Sequence, residues 1–175
     1  MAHAMHESPI TLNMAITSFL LAAAVFLPLS GWAADRFGAR AVFMTAMVTF
    51  ALSSVACGFA HSLPELIAAR VAQGAASSMM MPVGRLIVLR SVPKSELVGA
   101  LAILTMPGML GPMIGPALGG FIVTYGDWRW IFFMNLPVGI VAFALIAMFV
   151  PNIREEEKRR LDLTGFALSG VACAG

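Results

Sequence analysis

LVGALAILTMPGMLGPMIGPALGGFIVTYG, residues 97–126, contains no charged side chain. A helix of about 20 apolar residues crosses the roughly 30 Å hydrocarbon core of a bilayer. Because backbone groups in lipid must satisfy one another internally, this stretch predicts a transmembrane helix. The whole chain is 59% hydrophobic and 11% charged, against roughly 25% charged residues in an average soluble domain. We therefore expect lipid to be its main solvent.

Similar apolar stretches lie on both sides of this one, separated by short polar connections. The one dense run of charge is NIREEEKRRLD, residues 152–162. The pattern predicts an all-α transmembrane helical bundle with five complete spans and the start of a sixth. The predicted spans are residues 10–33, 41–60, 65–89, 97–126, 130–150 and, incomplete, 162–175.

Basic residues concentrate in alternate connections, after the first, third and fifth spans. The positive-inside rule places these connections in the cytoplasm and the amino terminus of the chain on the outer side. MAHAMHESP lacks the features of a signal peptide. We therefore expect an upstream span in a longer parent protein. The basic residues are Arg36, Arg40, Arg90, Lys94, Arg154, Lys158, Arg159 and Arg160, and the intervening connections hold only Arg129.

The polar residues do not indicate an enzyme, a metal site or a nucleic-acid partner. No HExxH run, aspartate pair, serine elbow or phosphate-binding loop is present. Cys57 and Cys173 lie in apolar runs without the spacing of a zinc site or disulfide framework. The net charge of +2 comes from the loops that set topology. We expect no cofactor.

The connection after the first span is GWAADRFGAR, residues 31–40. Gly31 is expected to end a helix, and Asp35 and Arg36 to lie in a tight turn. Gly38 and Arg40 are expected at the entry of the next helix. An acid near a helix amino terminus, paired with a nearby Arg, could hold neighbouring helices in one conformation and release them in another. An ordinary charged turn is the alternative.

Arg70 lies inside the third predicted span, about 9 Å along the helix from Pro64. A charge at that depth is expensive, which favours a functional role in pairing with a carboxylate or polar groups and biasing proton movement. The alternative is that Arg70 extends its side chain to the outer interface. Gln73 and Gly74 follow on the same helix in LIAARVAQGAASS, residues 66–78.

Glycine recurs every four residues in GMLGPMIGPALGG, residues 108–120. Such glycines form one stripe along a helix, where another helix can approach closely. The prolines between them remove backbone donors and supply points of bending. An ordinary packing seam of small residues is the alternative. The motif consists of Gly108, Gly111, Pro112, Gly115, Pro116, Gly119 and Gly120.

These three stretches resemble signatures of the major facilitator superfamily of secondary transporters. GWAADRFGARAVF is similar to GxLaDRxGrkxxl, with Ala33 for the usual Leu and Ala39 for a usual basic residue, which leaves Asp35 one fewer partner. LIAARVAQGAASS is similar to lxxxRxxqGxgaa, and GMLGPMIGPALGG to the GxxxGPxxGG signature of proton-driven antiporters. DWRWIFFMNLPVGI, residues 127–140, looks like the fourteen-span drug:proton antiporter branch, and its Trp128 and Trp130 are expected to anchor at the headgroup boundary.

The resemblance implies proton-coupled efflux of amphiphilic or cationic compounds across the bacterial inner membrane, driven by the proton gradient. Residues 31–40 would form a gating loop, Arg70, Gln73 and Gly74 would tune proton coupling, and residues 108–120 would form the antiporter helix. The branch often carries an acidic residue in its first span that takes part in proton coupling. The five spans here contain no membrane-embedded carboxylate, so we expect such a residue outside this chain.

The expected partners are the lipid bilayer, a small amphiphilic substrate, protons and the remainder of the transporter. Transporters of this type move two halves about a midplane site, so we expect no transport by this chain alone. Two alternatives remain open. One is a superfamily exporter with a narrow substrate, such as a sugar, peptide or metabolite, and the other is a truncated membrane protein that does not transport.

Overall fold

A computed structural model of the chain describes residues 9–150, apart from the side chains of residues 9–12, 107 and 112. Helices and short connections make up this part of the chain, without a β-strand, which confirms the all-α prediction. The sixth predicted span, residues 162–175, lies outside the described residues. The helices are α1 (Pro9–Phe26), α2 (Leu29–Phe37), α3 (Ala39–Phe59), α4 (Leu63–Ser91), α5 (Leu97–Tyr125), α6 (Trp130–Phe133) and α7 (Asn135–Phe149).

Three stretches are long and apolar enough to cross a membrane by length and composition: α3, α5 and the combined Trp130–Phe149 of α6 and α7. A bent pair, Asn13–Phe26 with Leu29–Phe37, gives a fourth. Helix α4 has 29 residues, about 44 Å at 1.5 Å per residue. It is less apolar because it carries charged and polar side chains, and it packs mainly against α1 and α3.

The first predicted span, residues 10–33, is not one straight helix. Helices α1 and α2 meet at an angle of 57°, because the chain breaks at Leu27 and Pro28, where proline has no N–H for a helical bond. Helix α2 then continues to Phe37. The expected helix end at Gly31 and the expected tight turn at Asp35 and Arg36 are therefore wrong, since all three residues are helical.

The turn between α2 and α3 is made by Gly38. Its φ of 91° lies in the region that L-residues with a side chain avoid. Its N–H donates to the Ala34 carbonyl at 2.9 Å, which closes α2, and Ala39 begins α3. Gly38 and Arg40 thus lie at the entry of a helix, as the sequence predicts.

Two clusters of buried side chains hold the helices together, one near each end of α4. One includes Leu66 and Ala69 of α4, and the other includes Val83. Alanine is prominent in both, which fits helices in lipid, because small residues let backbones approach closely. The first cluster is Ala15, Cys57, Ala60, Leu66, Ala69, Trp128 and Phe132, and the second is Ala33, Ala34, Ala39, Val42 and Val83.

Candidate functional site

An ion pair joins the ends of α2 and α4. Arg90 Nη2 donates to Asp35 Oδ1 at 3.0 Å, and the two side chains are only 16% and 20% exposed. Asp35 lies in the last turn of α2, where the helix dipole disfavours an acid, whereas Arg90 is favoured in the last turn of α4. The predicted position of Asp35 near a helix amino terminus is thus corrected, and its partner is 55 residues away.

The two arginines near Asp35 in sequence have other partners. The Arg36 guanidinium carbon lies 5.5 Å from the centre of the Trp32 ring and 5.8 Å from that of Phe37. Arg40 Nη2 donates to the Ala147 carbonyl at 2.7 Å. That carbonyl is in the last turn of α7, where helix carbonyls lack a partner within the helix. Arg40 therefore connects the start of α3 with the end of α7.

Arg70 is half-buried and is held by a polar side chain and aromatic rings. Its Nη1 donates to Gln73 Oε1 at 3.0 Å, and its guanidinium carbon lies 4.7 Å from the Phe132 ring centre and 5.6 Å from that of Phe19. Its Nε is buried without a hydrogen-bond partner within residues 9–150. Attraction between a cation and a ring face increases as water is removed. The environment of Arg70 is thus built from α1, α4 and α6.

The hydrogen bonds continue from Gln73 to two further helices. Gln73 Nε2 donates to Ser54 Oγ at 2.6 Å, and Asn135 Nδ2 donates to the same oxygen at 3.3 Å. Gln73 is 2% exposed and Ser54 is fully buried. We call Arg70, Gln73, Ser54 and Asn135 the Ser54 network. It joins α3, α4 and α7, and Ser54 belongs to none of the three sequence motifs.

Gly74 allows α4 to lie directly against α1. A Cβ added at Gly74 would overlap the Phe19 carbonyl oxygen and lie 3.0 Å from the Ala22 Cβ. Any side chain at this position would therefore separate the two helices. Because Phe19 also provides a ring beside Arg70, Gly74 contributes to the position of that ring.

The glycine stripe of α5 borders a groove of about 510 Å³, which we call the glycine groove. Gly111, Gly115 and Gly119 lie along one wall, and Asn135 is among the residues opposite. A Cβ at any of these glycines, or at Gly120, would meet no atom within 4 Å in the described part of the chain, and one at Gly108 would lie 3.8 Å from Met81 Cε. Helix α5 is continuous through Pro112 and Pro116.

The family model described as Major Facilitator Superfamily matches residues 1–172. The chain belongs to the major facilitator superfamily. Over 174 residues, 99% of its length, it is 47% identical to the putative multidrug resistance protein MdtD of Citrobacter koseri and 46% identical to the protein of that name from Escherichia coli O81. The match covers 37% of each relative.

The superfamily predicted from the three motifs is therefore confirmed. In this major facilitator chain the Asp35–Arg90 pair and the Ser54 network lie toward opposite ends of α4. Arg70 and Arg90 are 20 residues apart, about 30 Å along a helix. The glycine groove meets the Ser54 network at Asn135. The motifs are thus separate sites connected by shared helices.

The two tryptophans that follow α5 in this major facilitator chain have different surroundings. Trp130 is 62% exposed, but Trp128 is only 5% exposed and packs edge-on against Phe132 at 6.1 Å between ring centres. Trp128 therefore packs inside the bundle, and its expected anchoring at the headgroup boundary stays a prediction. Arg129 Nε donates to the Gly58 carbonyl at 2.9 Å and so binds the end of α3.

Proposed function

We propose that the protein containing this chain is a secondary active transporter that exports amphiphilic or cationic compounds across the bacterial inner membrane. Proton entry supplies the driving force, and no cofactor takes part. The bilayer, the substrate, protons and the remainder of the transporter are its partners. Membership of the superfamily supports transport, and the names of the MdtD relatives support multidrug efflux as its purpose.

The position of Arg70 is the observation that carries the proposal of proton coupling. Charged side chains within a membrane protein are expensive, and they commonly mark ion or proton pathways. Arg70 pairs with no carboxylate in the described part of the chain, and Gln73 and two aromatic rings hold its guanidinium group. A fixed positive charge of this kind favours release of a proton from a nearby acid, because it stabilises the carboxylate.

The Asp35–Arg90 pair supports a gating role for the other end of α4. It is half-buried and joins the ends of two helices rather than neighbours on one helix. Such a pair is stable in one arrangement of the helices and breaks when they move apart, as alternating access requires. We propose that it closes one state of the transporter.

Transport assays with the full-length protein test this function. Everted membrane vesicles would be energised with a proton gradient, and uptake of a fluorescent lipophilic cation would be followed. We expect gradient-dependent uptake that Arg70→Met reduces at least tenfold. Arg85→Met, which removes an exposed arginine from the same helix, is the matched control and is expected to retain uptake.

Three outcomes would contradict the proposal. Uptake that persists without a proton gradient would exclude proton coupling, and full activity of Arg70→Met would exclude the role of Arg70. Transport of a sugar, peptide or metabolite but of no lipophilic compound would favour a narrow-substrate exporter. Residues 1–175 alone are expected to give no uptake, since they span 37% of the length of the MdtD relatives and transport needs two halves.

A further inference from the structure

Asn135 lies in both the Ser54 network and the glycine groove, which contain residues of different motifs. Its amide nitrogen donates to Ser54 in the Ser54 network, and the residue also lines the glycine groove opposite Gly111 and Gly115. Nothing in the three motifs connects these places. We infer that Ser54 and Asn135 are positioning residues through which the glycine groove influences the orientation of Arg70. This inference rests on the proposed proton coupling at Arg70.

The direction of the hydrogen bonds makes Ser54 the common acceptor. Arg70 donates to the Gln73 oxygen, so the Gln73 amide nitrogen is the group that faces Ser54. Asn135 also donates its amide nitrogen to the Ser54 oxygen. A hydroxyl oxygen has two acceptor sites, and both are filled by these donors. The orientation of the Gln73 amide, and with it the partner of Arg70, therefore depends on one buried oxygen.

Burial makes this dependence strong. Ser54 is fully buried and Gln73 is 2% exposed, so water cannot easily replace a lost partner. A buried N–H without an acceptor is much less stable than one in water. If Asn135 withdraws, Ser54 and Gln73 are free to rearrange together. Polar networks in a dry interior respond as a unit for this reason.

The segment from α6 to α7 acts on Arg70 by a second route. Phe132, three residues before Asn135, places its ring 4.7 Å from the Arg70 guanidinium carbon. Helices α6 and α7 meet between the two residues at Met134, whose backbone dihedral angles remain helical, so they continue as one segment. A displacement of this segment at the glycine groove would therefore move both the ring and the amide that determine the surroundings of Arg70.

Adjacent serines on α3 provide the test. Ser54→Ala removes the shared acceptor, whereas Ser53→Ala removes a serine that is also buried but bonds only to carbonyls of its own helix, those of Thr49 and Phe50. In the full-length protein, the pH of half-maximal transport should shift by about half a unit with Ser54→Ala. Asn135→Leu should shift it in the same direction. Ser53→Ala should leave the pH of half-maximal transport unchanged. Ser54→Thr, which keeps the hydroxyl, should retain the wild-type value.

A second measurement separates this inference from the proposed function. Cys57 lies one helical turn after Ser54 and is fully buried. With Cys57 as the single cysteine of the full-length protein, its rate of labelling by N-ethylmaleimide should rise several-fold with Ser54→Ala or Asn135→Leu, but not with Ser53→Ala. If the wild-type protein transports nothing, the proposed function fails, yet labelling still reports on the network. Equal labelling and equal pH profiles for Ser53→Ala and Ser54→Ala would overturn the inference.

Discussion

Replacing Gly74 with alanine is the sharpest test of how α4 meets α1. The new Cβ would overlap the carbonyl oxygen of Phe19, and would also lie 3.1 Å from the carbonyl carbon of that residue. Both are backbone atoms, so no change of side-chain conformation can remove the overlap. The helices must move apart, by an amount on the order of 1 Å.

The size of the effect follows from two destabilising contributions and one that opposes them. Overpacking of a close contact costs about 1–3 kcal/mol, and separating packed atoms by 0.5–1 Å loses about a quarter to a half of their attraction. Alanine is a better helix former than glycine by about 0.5–1 kcal/mol, which opposes the loss. We therefore expect Gly74→Ala to reduce stability by about 1–2 kcal/mol. Transport should also fall, because the Phe19 ring moves away from the Arg70 guanidinium group.

Unfolding of the purified protein by SDS, followed by circular dichroism, measures the change. Gly99→Ala is the matched control, since it lies in α5 and its new Cβ would meet no described atom within 4 Å. The control should be neutral or slightly more stable. Our account of the contact is refuted if Gly74→Ala is as stable as the wild type and the control behaves as expected.

Three arginine contacts give further predictions. Asp35→Asn should lower stability by about 1–2 kcal/mol, because the acceptor of the hydrogen bond from Arg90 loses its negative charge. A smaller effect in an Arg90→Gln background, measured by SDS unfolding, would verify the pairing. Arg129→Lys keeps the charge but not the forked guanidinium group that reaches two carbonyls at the end of α3. We expect faster proteolysis at the end of α3, and an unchanged rate of cleavage would contradict this role of Arg129. Arg40→Met should increase the distance between spin labels at the start of α3 and the end of α7, whereas an unchanged distance would show that its bond to α7 is dispensable.

Hydropathy predicts the helices because backbone N–H and C=O groups in lipid can form hydrogen bonds only with one another. Helix α3, residues 39–59, and helix α5, residues 97–125, agree closely with the predicted 41–60 and 97–126. The same reasoning misses the bend before α2, since the apolar run continues through Pro28 and hydropathy contains no signal there. Proline itself was the available signal, because its missing N–H weakens a helix at that point.

The contacts of the candidate site were much harder to predict than its residues. Asp35 and Arg36 are neighbours in sequence, yet Asp35 pairs with Arg90 and Arg36 lies over Trp32. Ser53 and Ser54 are chemically identical, but 100° of helix rotation separates them. One bonds to its own helix and the other receives bonds from two other helices. Only packing distinguishes them, and a single sequence does not contain it.

Helix α4 physically connects the separate motifs. Arg90 at its end is held by α2. Arg70, about 30 Å away along the helix, lies against rings of α1 and α6 and is linked through Gln73 to α3 and α7. A packed helix moves largely as one body, so breaking the Asp35–Arg90 pair changes the forces on Arg70. Pro82 lies between the two arginines and removes one backbone donor. The helix is therefore weakened there, and we expect the stiffness of α4 at Pro82 to determine how much of a movement at one arginine reaches the other.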